Sequence, residues 1–173
     1  MNNMLLNTNL KEIIVSVIIP TYNRCDYVQE AIDSVLNQTY RKYELIVVDD
    51  GSTDGTKEVI EKKYKGKLQY YWQRNKGESR ARNYGISLAK GKFLAFLDSD
   101  DKWHPEKLHY QVDELERRLK ENKKIALLCS SVWLIDANGK LINSQPSGRT
   151  MNIEKYEIED FLFRPRIFAP PSN

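Results

Sequence analysis

The chain has 173 residues, of which 40% are apolar and 29% charged, and its 27 basic and 24 acidic side chains leave a net charge of +3. This length suits one domain with a packed core, which excludes a wholly disordered chain, and so small a charge surplus gives no indication of nucleic-acid binding. The two cysteines, Cys25 and Cys129, lack the spacing of a metal site, and the polar extension over 1–12 carries no apolar signal sequence. We therefore expect a cytoplasmic protein that attaches to the membrane face at most peripherally.

The hydrophobic pattern predicts strands and helices in alternation. A β-branched run over 13–19 predicts the first strand, and apolar residues at helical spacing over 27–36 predict a helix with Asp26 as its N-cap. Further strands are predicted over 44–48, 68–72, 92–97 and 125–135, and further helices over 56–63, 79–89 and 105–122. A turn over 136–139 is expected to return the fifth strand as a hairpin. Strict alternation of this kind predicts one α/β domain with a mainly parallel sheet.

Clusters of polar residues follow three of the predicted strands directly. Pro-Thr-Tyr-Asn-Arg stands at 20–24, Asp-Asp-Gly-Ser at 49–52 and Asp-Ser-Asp-Asp at 98–101. Ligands of open α/β sheets bind outside the carboxyl ends of the strands, where such clusters converge. The sequence therefore predicts one binding site at this edge of the sheet, built from all three clusters.

The three carboxylates between 98 and 101 repel one another, and a bound cation would relieve that repulsion. Oxygen ligands select a hard divalent ion such as Mg²⁺ or Mn²⁺. Asp98 and Asp100 are expected to point the same way in an extended segment, so they could share the ion directly or through water. The alternative is an aspartate-rich turn that caps the helix beginning near Pro105.

Asp49 and Asp50 follow the second strand and allow two interpretations. They belong either to a turn that leads to a helix N-cap at Asp54, or to a pocket in which a carboxylate accepts a hydrogen bond from the planar N–H of a base. Tyr22 and Asn23 would add an aromatic face and an amide to that pocket. Simple packing of Tyr22 is the rival explanation.

The segment 75–83 is a candidate diphosphate site. Gly77, a helix N-terminus and the guanidinium groups of Arg80 and Arg82 suit phosphate oxygens, with Asn83 beside them. The alternative is a solvated helix start with ordinary ion pairs.

Four separated motifs appear in order along the chain, at 15–23, 47–54, 81–85 and 96–101. Together they closely resemble the family 2 glycosyltransferases, which are inverting enzymes of the GT-A fold. The resemblance implies a Rossmann-like nucleotide-diphospho-sugar transferase fold, with a mainly parallel central sheet flanked by helices. The expected organisation is an N-terminal polar extension, a donor-binding domain and an incomplete acceptor-side region, over 1–12, 13–145 and 146–173.

The resemblance also implies a donor and its contacts. The donor is a nucleotide-activated sugar, most often a UDP-sugar. Its base binds Asp50, and its diphosphate is held through Mg²⁺ or Mn²⁺ by the D-x-D aspartates, Asp98 and Asp100. The residues expected at the donor nucleotide are Pro20, Thr21, Tyr22, Asn23, Asp49, Asp50, Gly51, Ser52, Gly77, Arg80, Arg82, Asn83, Asp98 and Ser99.

Transfer to an acceptor hydroxyl needs a general base, which in this family is an Asp or Glu well after the D-x-D motif. The acids available there are Glu154, Glu157, Glu159 and Asp160. They read as one face of a short surface helix, and the role is assigned to none of them. We expect the base to lie beyond Asn173 and the chain to be truncated at its C-terminus. A missing segment or a second copy of the chain would then cover an apolar tail over 161–171.

The resemblance implies transfer to a glycan or lipid-linked acceptor in the synthesis of a cell-surface or extracellular polysaccharide, and no nucleic-acid partner. Two alternatives stay open. A sugar-phosphate nucleotidyltransferase would share the sheet and the acidic site, but it needs a glycine-rich loop with Lys or Arg directly after the first strand, where Pro-Thr-Tyr-Asn-Arg stands. A non-catalytic nucleotide-sugar-binding module would bind the donor without turnover.

Overall fold

The computed structural model describes residues 13–121, 127, 128, 130, 134–136 and 140–142. Strands and helices alternate along the first of these ranges. In chain order they are β1 (Val15–Thr21), α1 (Cys25–Leu36), β2 (Tyr43–Asp49), α2 (Thr56–Lys63), β3 (Gln69–Trp72), α3 (Glu78–Leu88), β4 (Phe93–Phe96) and α4 (Lys107–Lys120). The alternation predicted from the hydrophobic pattern is confirmed, and the boundaries of these elements differ from the prediction by at most two residues.

The contacts divide the chain into two compact units, Met1–Tyr110 and Gln111–Asn173, and the sheet lies in the first. All four of its strands are parallel and stand in the order β3-β2-β1-β4. The chain moves outward from β1 through β2 to β3 and then crosses back to place β4 on the other side of β1. The strand order therefore reverses between β1 and β4, which is where sheets of this type bind ligands. The predicted fold class, a mainly parallel sheet flanked by helices, is confirmed.

The two central strands form the core of the first unit. Every residue of β1 is buried, and so is every residue of β2 from Glu44 onward. Helices cover both faces of a central strand in a parallel sheet, which is why both strands are apolar runs without alternation. On α1 the buried residues recur at the spacing of one helix face, and they are Val28, Ala31, Ile32 and Val35.

Helix α3 approaches the sheet through small residues. The spacing of Ala81, Gly85 and Ala89 predicts one face that permits close packing, and both Ala81 and Gly85 are buried. A Cβ on Gly85 would lie 2.5 Å from Cγ2 of Ile18, so a glycine is required at this contact. Ala89 follows the last residue of the helix and packs at the margin of the buried cluster around Val48.

The prediction of Asp26 as the N-cap of α1 is wrong. The helix begins at Cys25, two residues before the predicted start at 27, and Arg24 occupies the cap position. The Cys25 N–H is satisfied from elsewhere in the chain, because it donates to Oδ2 of Asp54 at 2.9 Å. Asp26 instead lies in the first turn, where its negative charge is favourable to the helix dipole.

The prediction of Asp54 as the N-cap of α2 is wrong by one position, although Asp54 bonds to the start of that helix. Gly55 is the cap residue, with a φ of +89°, and Oδ1 of Asp54 accepts from the N–H and the hydroxyl of Thr56 at 3.1 and 2.6 Å. Burial raises the pKa of Asp54, but its hydrogen bonds outweigh burial and leave the pKa below its ordinary value. One carboxylate thus joins the first turns of α1 and α2.

A buried amide anchors the loop between β4 and α4 to the end of α1. Gln38 is fully buried. Its Nε2 donates to the carbonyls of Ser34 and His104 at 3.2 and 2.7 Å, and its Oε1 accepts from the Leu108 N–H at 3.0 Å. The Trp103 N–H adds a 3.1 Å bond to Oγ of Ser34. These contacts hold the loop in which the acidic cluster of 98–101 lies.

A buried carboxylate stabilises the opposite, amino end of the sheet. Glu44 is 7% exposed. Its Oε1 accepts from the Ser16 hydroxyl and the Lys90 N–H, each at 2.6 Å, and its Oε2 accepts from Nε2 of Gln69 at 2.7 Å. Burial raises the pKa of Glu44, but these hydrogen bonds prevail and hold its pKa below the ordinary value. The charged form is therefore the one that the fold stabilises.

Parts of the sequence prediction fall outside the described residues. In the predicted hairpin, Ile135 pairs antiparallel with Leu141, and the Asp136 N–H donates to the Lys140 carbonyl at 2.8 Å, which confirms the antiparallel return at these residues. Most of the predicted fifth strand lies outside the described residues, as does all of 146–173 with its acids and apolar tail. Among the described residues, no helix is both long and apolar enough to cross a membrane.

Candidate functional site

A cleft of about 440 Å³ opens at the carboxyl edge of the sheet, beside the reversal of strand order between β1 and β4. The ends of β1, β2 and β4 line it, together with the loop before α3 and the first turns of that helix. The lining residues are Pro20, Thr21, Tyr22, Arg24, Asp50, Asn75, Gly77, Glu78, Ala81, Asp98, Ser99 and Asp100. The three polar clusters that the sequence predicts to converge therefore do so, and each contributes to one cleft.

Hydrogen bonds between the first two clusters fix the wall of the cleft. The Asp50 N–H donates to the Thr21 carbonyl at 2.8 Å. Beyond it, the Asn23 N–H donates to Oγ of Ser52 at 2.9 Å, and Oδ1 of Asn23 accepts from the Thr53 N–H at 2.8 Å. Asn23 has a φ of +49°, a left-handed conformation that asparagine tolerates better than most residues. Asn23 and Ser52 thus tie the two loops together behind the lining.

Asp50 lines the cleft, but hydrogen bonds within the protein already engage most of its carboxylate. It is 3% exposed. Oδ1 accepts from Nε2 of Gln73 and from the Lys76 N–H at 2.6 and 2.9 Å, and Oδ2 accepts from the Gly77 N–H at 2.7 Å. A carboxylate can accept about four hydrogen bonds. Asp50 therefore holds the loop before α3 with three of its four acceptor positions.

Asp49 and Gly51 form the turn beside the cleft, so the turn interpretation of this cluster holds for them. Asp49 is fully buried; its Oδ1 accepts from the Ser52 N–H at 2.8 Å and its Oδ2 from the Tyr70 hydroxyl at 2.7 Å. Burial and this hydrogen bond raise the pKa of Tyr70 far above its usual range. Gly51 has a φ of +88°, and a Cβ on it would lie 2.8 Å from the Asn75 nitrogen.

Thr21 and Tyr22 both line the cleft, the first with a buried hydroxyl and the second with an exposed aromatic ring. The Thr21 side chain is 3% exposed, and within the described part of the chain its Oγ1 has no hydrogen-bond partner. A buried hydroxyl without a partner costs free energy that a bound polar group can recover. The Tyr22 side chain is 47% exposed, so simple packing does not account for it. Pro20 completes this side of the cleft at the end of β1.

The acidic cluster forms a turn rather than the extended segment expected. The Asp101 N–H donates to the Asp98 carbonyl at 3.0 Å, closing the turn. Asp98 and Asp100 nevertheless line the same cleft. The cluster does not cap α4, which begins only at Lys107. Burial, with the neighbouring charges of Asp98 and Asp100, raises the pKa of Asp101.

The D-x-D carboxylates are a chemically suitable start for a divalent-cation site. Oδ1 of Asp98 and Oδ2 of Asp100 are paired with arginines, and within the described residues the second oxygen of each makes no hydrogen bond. Mg²⁺ and Mn²⁺ favour oxygen ligands, and Mg²⁺ sites commonly use one or two carboxylates plus phosphate oxygens and water. The same described residues contain no group of three or more His, Cys, Asp or Glu arranged around one metal position. The two aspartates would therefore hold the ion together with a phosphate ligand.

The structure places some residues of the predicted diphosphate segment at the cleft and others away from it. Gly77 lines the cleft with a φ of +91°, and Nη2 of Arg82 lies 2.6 Å from Oδ1 of Asp98 and 2.5 Å from Oε1 of Glu78. Arg80 and Asn83 are exposed and lie outside the lining. Arg82 thus forms ion pairs, as the alternative interpretation of this segment expects. Its partners, Asp98 and Glu78, both line the cleft.

Four lining residues fall within the predicted clusters and segments but are not among the residues expected at the donor nucleotide, namely Arg24, Asn75, Glu78 and Ala81. Arg24 is the last residue of the polar cluster at the end of β1, and Asn75 opens the predicted diphosphate segment two residues before its glycine. Glu78 directly precedes the predicted helix and stands four residues before Arg82, a spacing that brings two side chains together once the helix includes both residues. The positions of these residues in the sequence, next to residues already assigned to the site, were the signals that could have identified them. The partner of Arg24, Asp100, is 76 residues away and no local pattern indicates it.

Comparison with known proteins gives consistent matches. Residues 16–127 match the family model described as glycosyl transferase family 2. A Rickettsia bellii protein named as an uncharacterized glycosyltransferase is 43% identical over 146 residues, covering 84% of this chain and 21% of that protein. Bacillus subtilis TuaG, named as a glycosyltransferase of teichuronic acid biosynthesis, is 42% identical over 114 residues, covering 64% of this chain and 45% of TuaG. The chain spans 21% to 48% of the length of five Rickettsia relatives.

Solved structures agree with the sequence matches. Residues 1–349 of S. aureus TarS, in complex with UDP-GlcNAc, superpose with a TM-score of 0.54 at 34% identity, covering 61% of this chain and 32% of that one. The mannosyltransferase PcManGT from Pyrobaculum calidifontis, in complex with GDP-Man and Mn²⁺, gives a TM-score of 0.53 at 30% identity, covering 58% and 32%. Because the family model matches more than half of its residues, this chain belongs to glycosyl transferase family 2.

Proposed function

We propose that this chain is the donor-binding part of an inverting glycosyltransferase whose cleft holds a nucleotide-activated sugar, with a UDP-sugar as the first candidate. One observation carries the proposal: Asp98 and Asp100 line the same cleft as Thr21, Tyr22 and Asp50, at the reversal of strand order. That cleft offers groups for a nucleoside and for a metal-bound diphosphate together. The complexes of TarS with UDP-GlcNAc and of PcManGT with GDP-Man support nucleotide sugars as the donor class.

The nucleoside is proposed to lie against the residues that follow β1 and β2. Tyr22 is exposed enough to stack on the face of a base. Oγ1 of Thr21 can donate or accept one hydrogen bond. Asp50 has an acceptor position left for a planar N–H, and its other hydrogen bonds keep it from turning away. These three groups would select a nucleotide over a free sugar phosphate.

The diphosphate is proposed to lie at the other end of the cleft. Asp98 and Asp100 would hold Mg²⁺ or Mn²⁺ there, and the ion when bound neutralises charge on the leaving diphosphate. Arg82 brings a guanidinium to the same place through its contact with Asp98. Ser99 lies between the two aspartates, is buried and lines the same cleft.

Inversion at the anomeric carbon requires an acceptor hydroxyl to attack from the face opposite the diphosphate while a carboxylate takes its proton. We assign that base to none of the residues of this cleft and propose that the acceptor side supplies it. The acceptor is proposed to be a glycan or lipid-linked hydroxyl in polysaccharide synthesis, which the name of TuaG supports. Among the lining residues, Glu78 is an unsuitable base because its carboxylate is paired with Arg82.

The test is binding and turnover with the 173-residue chain. A thermal-shift panel of UDP-, GDP- and other nucleotide sugars, with and without Mn²⁺, should show stabilisation by at least one donor class. Release of the nucleoside diphosphate from that donor would then report transfer or hydrolysis. Binding without any turnover favours a non-catalytic binding module. Pyrophosphate release from a nucleoside triphosphate and a sugar phosphate favours a nucleotidyltransferase, and binding of no nucleotide contradicts the proposal.

A further inference from the structure

Each D-x-D aspartate is paired with an arginine from a different part of the chain. Nη2 of Arg82, on α3, lies 2.6 Å from Oδ1 of Asp98. Nη1 of Arg24, which follows β1, lies 3.0 Å from Oδ2 of Asp100. The two ion pairs therefore occupy the carboxylates that the proposed function gives to a metal ion.

The charge balance of the cleft explains the need for these pairs. Among the residues that the structure describes, four carboxylates line it, those of Asp50, Glu78, Asp98 and Asp100, against one lining guanidinium, that of Arg24. Without counter-ions the carboxylates of the D-x-D turn would repel one another and any incoming anion. The arginines relieve that repulsion while the cleft holds no ligand, and a divalent cation would relieve it in the same way.

We propose that Arg24 and Arg82 are displaceable counter-ions that couple the binding of a divalent cation to the binding of a nucleoside diphosphate. This inference rests on the proposed function and adds a role for Arg24. The cation and the arginines compete for Asp98 and Asp100. The diphosphate provides new anionic partners for the arginines that the cation displaces, since guanidinium groups pair well with phosphate oxygens.

Each ligand alone then binds at a disadvantage. A cation alone binds carboxylates that two guanidinium groups already neutralise, and it is repelled by those groups while no diphosphate is there to pair with them. A nucleoside diphosphate alone can pair with Arg24 and Arg82 only by drawing them away from Asp100 and Asp98, which would then be left without counter-ions. When both bind, every charge has an opposite partner, so the affinity of each ligand rises when the other is present, by the same factor.

The exposure of the pairs suits this exchange. The side chains of Arg24 and Asp100 are 47% and 45% exposed, and exposed ion pairs are weak enough to be replaced. Arg82 is 20% exposed and also contacts Oε1 of Glu78 at 2.5 Å. Arg82 therefore keeps a partner when Asp98 turns to a cation, and stays in place to meet the diphosphate. Arg24, with the more exposed pair, is the one expected to move.

The experiment measures two affinities of the 173-residue chain, for Mn²⁺ alone by electron paramagnetic resonance and for UDP or GDP at saturating Mn²⁺ by calorimetry. In Arg24→Gln, we expect Mn²⁺ alone to bind about twofold to fivefold more tightly, because a competitor is removed. The nucleotide at saturating Mn²⁺ should bind more weakly by a similar factor. A purely structural defect would weaken both affinities, so the opposite signs identify the exchange.

Two further variants sharpen the result. Arg24→Lys keeps the positive charge that competes with the cation. Its affinity for Mn²⁺ alone should therefore be close to that of the wild type, and weaker than that of Arg24→Gln. Arg41→Gln makes the same change at the other end of the sheet, where Arg41 donates to the Leu36 carbonyl, and should leave both affinities as they are. Unchanged or lower Mn²⁺ affinity in Arg24→Gln, with Mn²⁺-dependent nucleotide binding intact, overturns this inference alone. Failure of the wild-type chain to bind either nucleotide overturns it together with the proposed function.

Discussion

Oδ2 of Asp50 accepts a hydrogen bond of 2.7 Å from the N–H of Gly77, which joins the end of β2 to the start of α3. The same carboxylate faces the cleft that we assign to a nucleotide sugar. Asp50 therefore has two roles in this account, since it shapes the loop before α3 and offers an acceptor to the base.

Replacing Asp50 should weaken nucleotide binding whether or not a metal is present. Asp50→Ala removes the acceptor for Gln73, Lys76 and Gly77, and the loop before α3 loses its anchor. We expect nucleotide affinity to fall about tenfold or more, as for loss of a hydrogen bond to a charged group. Calorimetry with UDP or GDP, with and without Mn²⁺, measures this. Loss of only the Mn²⁺-dependent part of the affinity would show that the base-pocket role is wrong.

Thr21→Val should separate ligand binding from stability. Within the described residues Oγ1 of Thr21 makes no hydrogen bond, so exchanging the buried hydroxyl for a methyl group of similar shape should leave the free energy of unfolding unchanged or raise it, by up to about 1–3 kcal/mol. Nucleotide affinity should nevertheless fall several-fold. Urea denaturation and calorimetry on the same preparation measure the two quantities. Unchanged nucleotide affinity would remove Thr21 from the proposed site.

Gly85→Ala should destabilise the first unit by forcing α3 off the sheet. The new Cβ would lie 2.5 Å from Cγ2 of Ile18 and 3.4 Å from Cγ2 of Val48. Overpacking of this kind costs about 1–3 kcal/mol. Ser87→Ala is the matched control, because Ser87 is exposed on the same helix. Equal urea midpoints for the two variants would contradict the close packing described here.

The stability of the chain should fall in acid partly through Glu44. Its pKa is lower in the folded chain than in the unfolded one, so its contribution is fully present above the unfolded pKa of about 4.3 and is lost as the pH falls through the folded pKa. Glu44→Gln should be less stable than wild type at pH 7 by about 1–3 kcal/mol, because an amide nitrogen cannot accept from Gln69. The difference between the urea midpoints of wild type and Glu44→Gln should become smaller toward pH 3, because Glu44 of the wild type is then increasingly protonated. Glu61→Gln, an exposed change on α2, is the control, and a gap that is constant with pH would count against this account.

The sequence was sufficient for elements whose signals are local. The helix over 56–63 is predicted with its observed bounds, because a turn rich in Asp and Gly precedes it and its outer face is polar. The small-residue face of Ala81 and Gly85 was also readable, since one helix period determines it. The convergence of polar clusters followed from a general rule of parallel sheets, which fixes the edge at which the strands end.

The hydrogen-bond and ion-pair partners of individual residues could not be predicted from the sequence, because they depend on contacts between distant segments. Asp26 was predicted as a cap, but the Cys25 N–H bonds to Asp54, 29 residues away. The extended segment expected at 98–101 is a turn, closed by its own backbone. The pairing of Arg24 with Asp100 spans 76 residues, and only the folded sheet brings those two together. The fold class was thus predictable, whereas the partners of individual site residues were not.

The most direct test of the central claim compares two neighbouring aspartates of the acidic turn. Asp100→Asn removes a proposed cation ligand, whereas Asp101→Asn makes the same change in charge at a residue outside the cleft lining. Calorimetry should show that Mn²⁺-dependent affinity for the nucleotide falls about tenfold or more in Asp100→Asn and changes little in Asp101→Asn, because loss of a charged partner costs about 1.5–3 kcal/mol. Unchanged affinity in Asp100→Asn would contradict the assignment of the D-x-D motif to a metal-bound diphosphate.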